Sequence, residues 1–145
     1  MKIKNLGIDE GLFNRISEVA QHMPFYNLLG IRITALGPGY AELMVSTGAD
    51  HANNLDIVHG GLLLSLADGA MGNAVRSLGI LATTVDFNTA LMSAAPLGQD
   101  IIAQGQVIKA GRNLIFTKAQ AFVGDKQVLE TRGTFFRMGK IDFEE

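Results

Sequence analysis

The run Val58-His59-Gly60-Gly61-Leu62-Leu63-Leu64-Ser65-Leu66-Ala67-Asp68 sets a histidine, two adjacent glycines and one carboxylate into an otherwise apolar segment. Each is locally unfavourable there. Glycine costs roughly 1 kcal/mol against alanine inside a helix, and a lone Asp in a buried helix costs free energy unless partnered or protonated. The chemistry they could do together is acyl transfer. A helix N-terminus offers unsatisfied N–H groups and a positive dipole end, and Gly60 and Gly61 leave that end open to close approach, as an oxyanion hole requires. A carboxylate facing it would serve as general base or nucleophile. On one helix His59 and Asp68 lie roughly 13 Å apart along the axis and on opposite faces, so they form no dyad within a chain. Two such helices packed antiparallel about a two-fold bring Asp68 of one beside His59 and Gly60 of the other. The residues alone also allow a structural account: Asp68 paired, His59 as an N-cap or core histidine, and the glycines admitting helix–sheet contact.

The elements that must position these groups follow from periodicity. The apolar helix runs from about Val58 to Leu78, with Arg76 near its carbonyl end and Gly79 as terminator. Gly11 to Met23 reads as an amphipathic helix with Leu12, Phe13, Ile16, Val19, Ala20 and Met23 on one stripe, capped by Asp9 and stopped by Pro24. Ile31–Leu36 and Tyr40–Val45 read as strands around a Gly37-Pro38-Gly39 turn, and residues 48–57 as a polar loop. Ala82–Met92, Asp100–Ala110, Asn113–Val123 and Gln127–Met138 read as strands, the last three an antiparallel meander joined at Gly111-Arg112 and Gly124-Asp125-Lys126. A helix apolar on all sides needs burial on all sides, more than one sheet supplies, so a homo-oligomer is expected.

Composition narrows the function. The chain of 145 residues has no Cys, which excludes disulfides, thiolate catalysis and cysteine metal sites. Its net charge of −2 without a basic block argues against nucleic acid or anionic membrane as partner. No apolar run approaches the roughly 20 residues of a membrane span, and the first ten residues lack a signal pattern, so the cytoplasm is the expected location. His22 and His51 have no ligand spacing to His59 and read as surface residues, so no metal is expected. Asn53 and Asn54 read as loop formers. Ser65 is not in a nucleophile elbow, and neither a phosphate loop nor a dinucleotide fingerprint is present.

Asn53, His59-Gly60-Gly61 and Leu66-Ala67-Asp68-x-Ala70-x-Gly72, at this spacing, resemble the signature of hotdog-fold acyl-CoA thioesterases of the phenylacetate-degradation (PaaI-like) type. The resemblance spans roughly Phe25 to Met138, including Leu29-Gly30-Ile31, Thr84-Val85-Asp86-Phe87-Asn88 and the Gly111-Arg112 turn. It implies an α+β hotdog fold: a long central helix wrapped by an antiparallel sheet of about five to six strands. One domain, 1–145, is expected, with an N-terminal amphipathic helix at about 9–23 and a core at about 25–138.

The resemblance further implies hydrolysis of an acyl-CoA or aryl-CoA without metal or bound cofactor, by a dimer or dimer of dimers with sites at the interface. Residue by residue, Asp68 matches the catalytic acid, Gly60 the backbone oxyanion donor and Gly61 the glycine beside it. His59 matches the histidine near the thioester carbonyl, Asn53 the loop asparagine that helps place the carboxylate or water, and Thr84 a hydroxyl that positions water. The chain departs from the family in having Asp56 where a glycine is common. It also reads Met92-Ser93-Ala94-Ala95-Pro96 where a basic residue is common, leaving Lys109 and Arg112 as the candidates for the CoA phosphates. Phe25, Leu28, Leu81, Phe87 and Met92 are candidate acyl-pocket walls. The rivals are a non-catalytic acyl-CoA-binding hotdog module, a hotdog hydratase or dehydratase, and a structural oligomer.

Overall fold

The computed structural model describes residues 2–143. The elements are β1 (Lys4–Asn5), α1 (Glu10–Gln21), α2 (Pro24–Leu29), β2 (Ile31–Gly37), β3 (Tyr40–Ser46), a 3₁₀ turn (Ala49–His51), α3 (Gly60–Arg76), β4 (Ile80–Leu91), β5 (Asp100–Ala110), β6 (Leu114–Val123) and β7 (Lys126–Lys140). One seven-stranded sheet of order β1-β2-β3-β5-β6-β7-β4 curls around α3. The expected meander is β5-β6-β7, and β2-β3 is the hairpin about Pro38-Gly39, with φ 65° at Gly39.

Two expectations need correction. The sheet has seven strands and is mixed, because two-residue β1 pairs parallel to β2. Pro24 does not simply end a helix. It occupies the first turn of α2, where its missing N–H costs nothing, and α2 ends at Gly30 in a left-handed conformation, φ 77°.

α1 forms where expected: the Asp9 carboxylate accepts from the Leu12 N–H (3.1 Å), and Leu12, Ile16 and Ala20 are buried. α3 is buried by the sheet along Leu62, Leu63, Leu66, Ala67, Ala70, Met71, Ala74 and Val75. Each such leucine or valine contributes about 1.5–3 kcal/mol when fully removed from water. β5 passes so close beneath the helix that a Cβ on Gly105 would overlap the Ala70 carbonyl; only glycine fits that crossing. Burial is not all-round, however. Gly60, Gly61, Leu64, Ser65, Asp68, Gly72 and Arg76 remain half-buried, one open stripe at four-residue spacing. β4 is a sheet edge, twelve residues long, with Leu81, Val85 and Leu91 each about half exposed.

Candidate active site

The helix begins at Gly60, two residues later than its apolar pattern suggested, because Val58 and His59 belong to the preceding loop. Val58 N–H donates to Ala95 O (2.9 Å) and His59 N–H to His51 O (2.8 Å), which anchors the helix start to the body of the protein. His59 is the N-cap: its Nδ1 accepts from the Gly61 N–H at 2.8 Å. That bond decides between the two glycines. Gly61 N–H is engaged, and a Cβ at Gly61 would stand 2.9 Å from His59 Nδ1, so Gly61 serves the cap. Gly60 N–H donates to no described protein group and is the free donor at the positive end of α3. With Nδ1 accepting, Nε2 is the ring's donor nitrogen, and the residue is exposed.

The loop before the cap is shaped by Asn53. Its Oδ1 accepts from Leu55 N–H (2.8 Å) and Ile57 N–H (3.3 Å), and Asp56 is the one described non-glycine residue with positive φ, 59°. This is the left-handed conformation that the glycine common in the resembling family would adopt, and Asp is among the few other residues that tolerate it. His51 is not a surface residue. It is half-buried, with Nδ1 accepting from Gly48 N–H (3.0 Å) and Nε2 donating to Leu29 O (2.8 Å), so it ties this loop to the end of α2.

Asp68 sits on the open stripe with its Oδ1 accepting from Thr84 Oγ1 at 2.8 Å. Burial holds its carboxyl above the ordinary 3.8, and the Thr84 hydrogen bond opposes that rise. A carboxyl shifted toward neutrality is a stronger base when ionised than an exposed Asp. Thr84→Val keeps the shape and deletes the hydroxyl donor. We expect it to move the acid limb of the kcat/KM profile to higher pH; a limb unmoved in the variant would sever the bond from the chemistry.

The pocket beside Asp68 measures about 200 Å³ and is lined by Met23, Tyr26, Gly69, Gly72, Asn73, Val75, Arg76, Ala82, Thr83, Thr84 and Phe135. None of the expected wall residues lines it: Phe25, Leu28, Leu81 and Met92 are exposed and Phe87 packs half-buried against the Met71–Ile115 cluster, whereas α2 turns Tyr26 inward and β4 turns Ala82. Lys109 and Arg112 are exposed at the β5–β6 turn, outside this pocket. A wider depression of about 560 Å³ lies along the outer sheet face near Gln104, Lys118 and Glu130, away from α3's open stripe.

Sequence reasoning did not foresee Tyr26, Asn73 and Arg76 as a linked group in the pocket. Asn73, only 2% exposed, donates from Nδ2 to both Tyr26 Oη (3.0 Å) and Gly69 O (2.8 Å), and its Oδ1 accepts from Arg76 Nη1 (3.3 Å). Burial raises the Tyr26 hydroxyl, the Asn73 bond lowers it, and the nearby Asp68 raises it again. Asn73 carried the same signal as Asp68, a polar group in an apolar helix. Among the described residues no cluster of three His, Asp or Glu side chains is placed to hold a metal.

A long helix wrapped by a curled sheet, with a carboxylate midway and a free N–H at its start, is the arrangement that the resemblance to hotdog thioesterases implies. The Thioesterase superfamily model matches residues 55–130, and the chain belongs to that superfamily. It is 33% identical over 96 residues to human acyl-coenzyme A thioesterase 13, covering 64% of this chain and 69% of that protein. It is 29% identical over 119 residues to a putative esterase of Archaeoglobus fulgidus, covering 79% of this chain and 75% of that one. Its fold matches the PaaI protein of the E. coli phenylacetic acid degradation operon with TM-score 0.87 at 24% identity, over 93% of this chain and 99% of that chain.

Proposed function

We propose that the protein hydrolyses an acyl-CoA or aryl-CoA thioester to the free acid and CoA, in a site shared by two chains. The observation that carries this is the pairing of a free Gly60 N–H with a Thr84-held Asp68 on one open helix face. Gly60 N–H polarises the thioester carbonyl. Asp68 either takes a proton from an attacking water or attacks the carbonyl itself, giving an anhydride that water then opens. In both routes the tetrahedral oxyanion rests on Gly60 N–H, the C–S bond breaks, and the CoA sulfur leaves as thiolate to be protonated. His59 Nε2–H lies beside the same carbonyl, and Thr84 orients the carboxylate. Asn53 shapes the loop that presents the cap, and Lys109 and Arg112 are the cations proposed to meet the CoA phosphates. The reaction as written needs no cofactor. The name of the human relative supports acyl-CoA as the thioester.

Gly60 and Asp68 are eight residues apart, roughly 12 Å along the axis, too far to act on one carbonyl within a chain. The β4 edge supplies the remedy. It is long, half-apolar and without Lys or Pro, a ready template for pairing with a second copy. Thr84 touches Asp68, and Leu91 lies against Gly60, where an added Cβ would come within 2.9 Å of its Cδ1. Val85 is the extra residue of a bulge. Two β4 strands paired about a two-fold at Asn88, the bulge absorbing one residue, set Thr84 and Asp68 of one chain opposite Leu91 and Gly60 of the partner subunit. The test is a panel of aryl and aliphatic CoA thioesters followed by thiol release. Enzyme-dependent release from at least one series is expected; none from any would overturn the proposal.

A further inference from the structure

The open stripe of α3 continues beyond Asp68 to Gly72 and Arg76, and the pocket follows it. Packing does not require Gly72: a Cβ there would meet nothing nearer than Phe135 Cε2 at 3.6 Å, an ordinary contact. A mid-helix glycine nonetheless costs about 0.5–1 kcal/mol against alanine. What its missing side chain provides is an open floor between Asp68 and Arg76. At the far end, Arg76 is half-buried, makes one hydrogen bond of 3.3 Å to Asn73 and forms no ion pair among the described residues. Burial disfavours its charge, the neighbouring Tyr26 hydroxyl offsets part of that, and Arg15 of α1 disfavours the charge to a smaller degree. Tyr26, 8% exposed, accepts from Asn73 and donates its own proton to no described group. A half-buried guanidinium bonded only to Asn73, beside a buried phenol whose proton has no described acceptor, leaves the Arg76 end of the pocket without a negative group of its own.

We propose that this pocket takes an acyl group ending in a carboxylate, with Arg76 as its recognition residue, so that the substrates are CoA half-thioesters of short dicarboxylic acids. The planar guanidinium fork matches a carboxylate, Tyr26 O–H supplies a further donor, and the bound charge offsets the repulsion between Arg76 and Arg15. The proposal rests on the thioesterase reading for where the acyl group lies. Its test compares glutaryl-CoA with valeryl-CoA, equal in chain length, by kcat/KM with the native protein and by equilibrium binding to Asp68→Asn. Glutaryl-CoA is expected to lead by about tenfold or more in both, since a site built to hydrogen-bond a group rejects the analogue lacking it. Arg76→Met should collapse the ratio toward one, and Arg76→Lys, which keeps the charge and loses the fork, should fall between. Equal binding of the two esters by Asp68→Asn overturns the proposal whatever turnover shows. So does a ratio unchanged in a folded Arg76→Met because both esters weaken alike, which would assign Arg76 to the CoA phosphates. Binding in favour of glutaryl-CoA with no hydrolysis of either ester would keep the anion site and remove the hydrolytic reading.

Discussion

Asp68→Asn should fold, assemble and bind thioester while losing turnover by about 10²–10⁴-fold, the usual worth of a general base, or by more if the carboxylate is the nucleophile. The amide keeps the shape and its carbonyl can still accept from Thr84 Oγ1, so only charge and basicity are removed. Stability should not fall with activity. Because burial raises the Asp68 carboxyl in the folded state, the native protein binds the proton more tightly than the unfolded chain does. The ionised form therefore weakens the fold: the cost is absent below the ordinary value of 3.8, grows as pH rises through the higher folded value, and persists above it. At neutral pH the Asn variant should melt at or above the native temperature. Near-native turnover in a well-folded variant would remove Asp68 from the reaction.

Gly60→Val should cost about 10²–10³ in turnover, the magnitude associated with losing one oxyanion donor. The substitution leaves the N–H in place and acts by distance. Its side chain would stand where the thioester must approach, and its Cβ would press on Leu91 Cδ1, the end of a half-exposed side chain that can move aside. Circular dichroism and the oligomer mass establish first that the variant is folded. The loss should be alike for short, long and aryl thioesters, because the carbonyl is common to them. A loss confined to bulky acyl groups would make Gly60 a pocket wall and end its oxyanion role.

Where a residue's role is set by its neighbours along the chain, the sequence was legible. The capped stripe of α1, the β5-β6-β7 meander and the Gly79 stop all follow from spacing. Asp56 is the same kind of case, a residue able to take positive φ where the loop demands it. Pro24 was ambiguous by its physics: a proline stops one helix as readily as it opens the next, and Tyr26 was lost with that choice. β1 has two residues and no periodicity to read. In the site, His59, Gly60 and Asp68 were visible because they break local rules together. Tyr26 and Arg76 obey local rules, and Asn73 bonds to both, a contact across the fold that no spacing announces.

In the proposed dimer each reaction site takes Asp68 from one chain and the helix start from another. Two inactive variants, Asp68→Asn and His59→Ala, mixed under proven subunit exchange, test it directly. A mixed dimer then holds one site with both native groups and one with neither. Random mixing at equal concentration should restore about a quarter of native turnover, since half the dimers are mixed and half their sites are whole. Two inactive parents that exchange freely and recover nothing would contradict a shared site, as would a native protein that is active as a monomer.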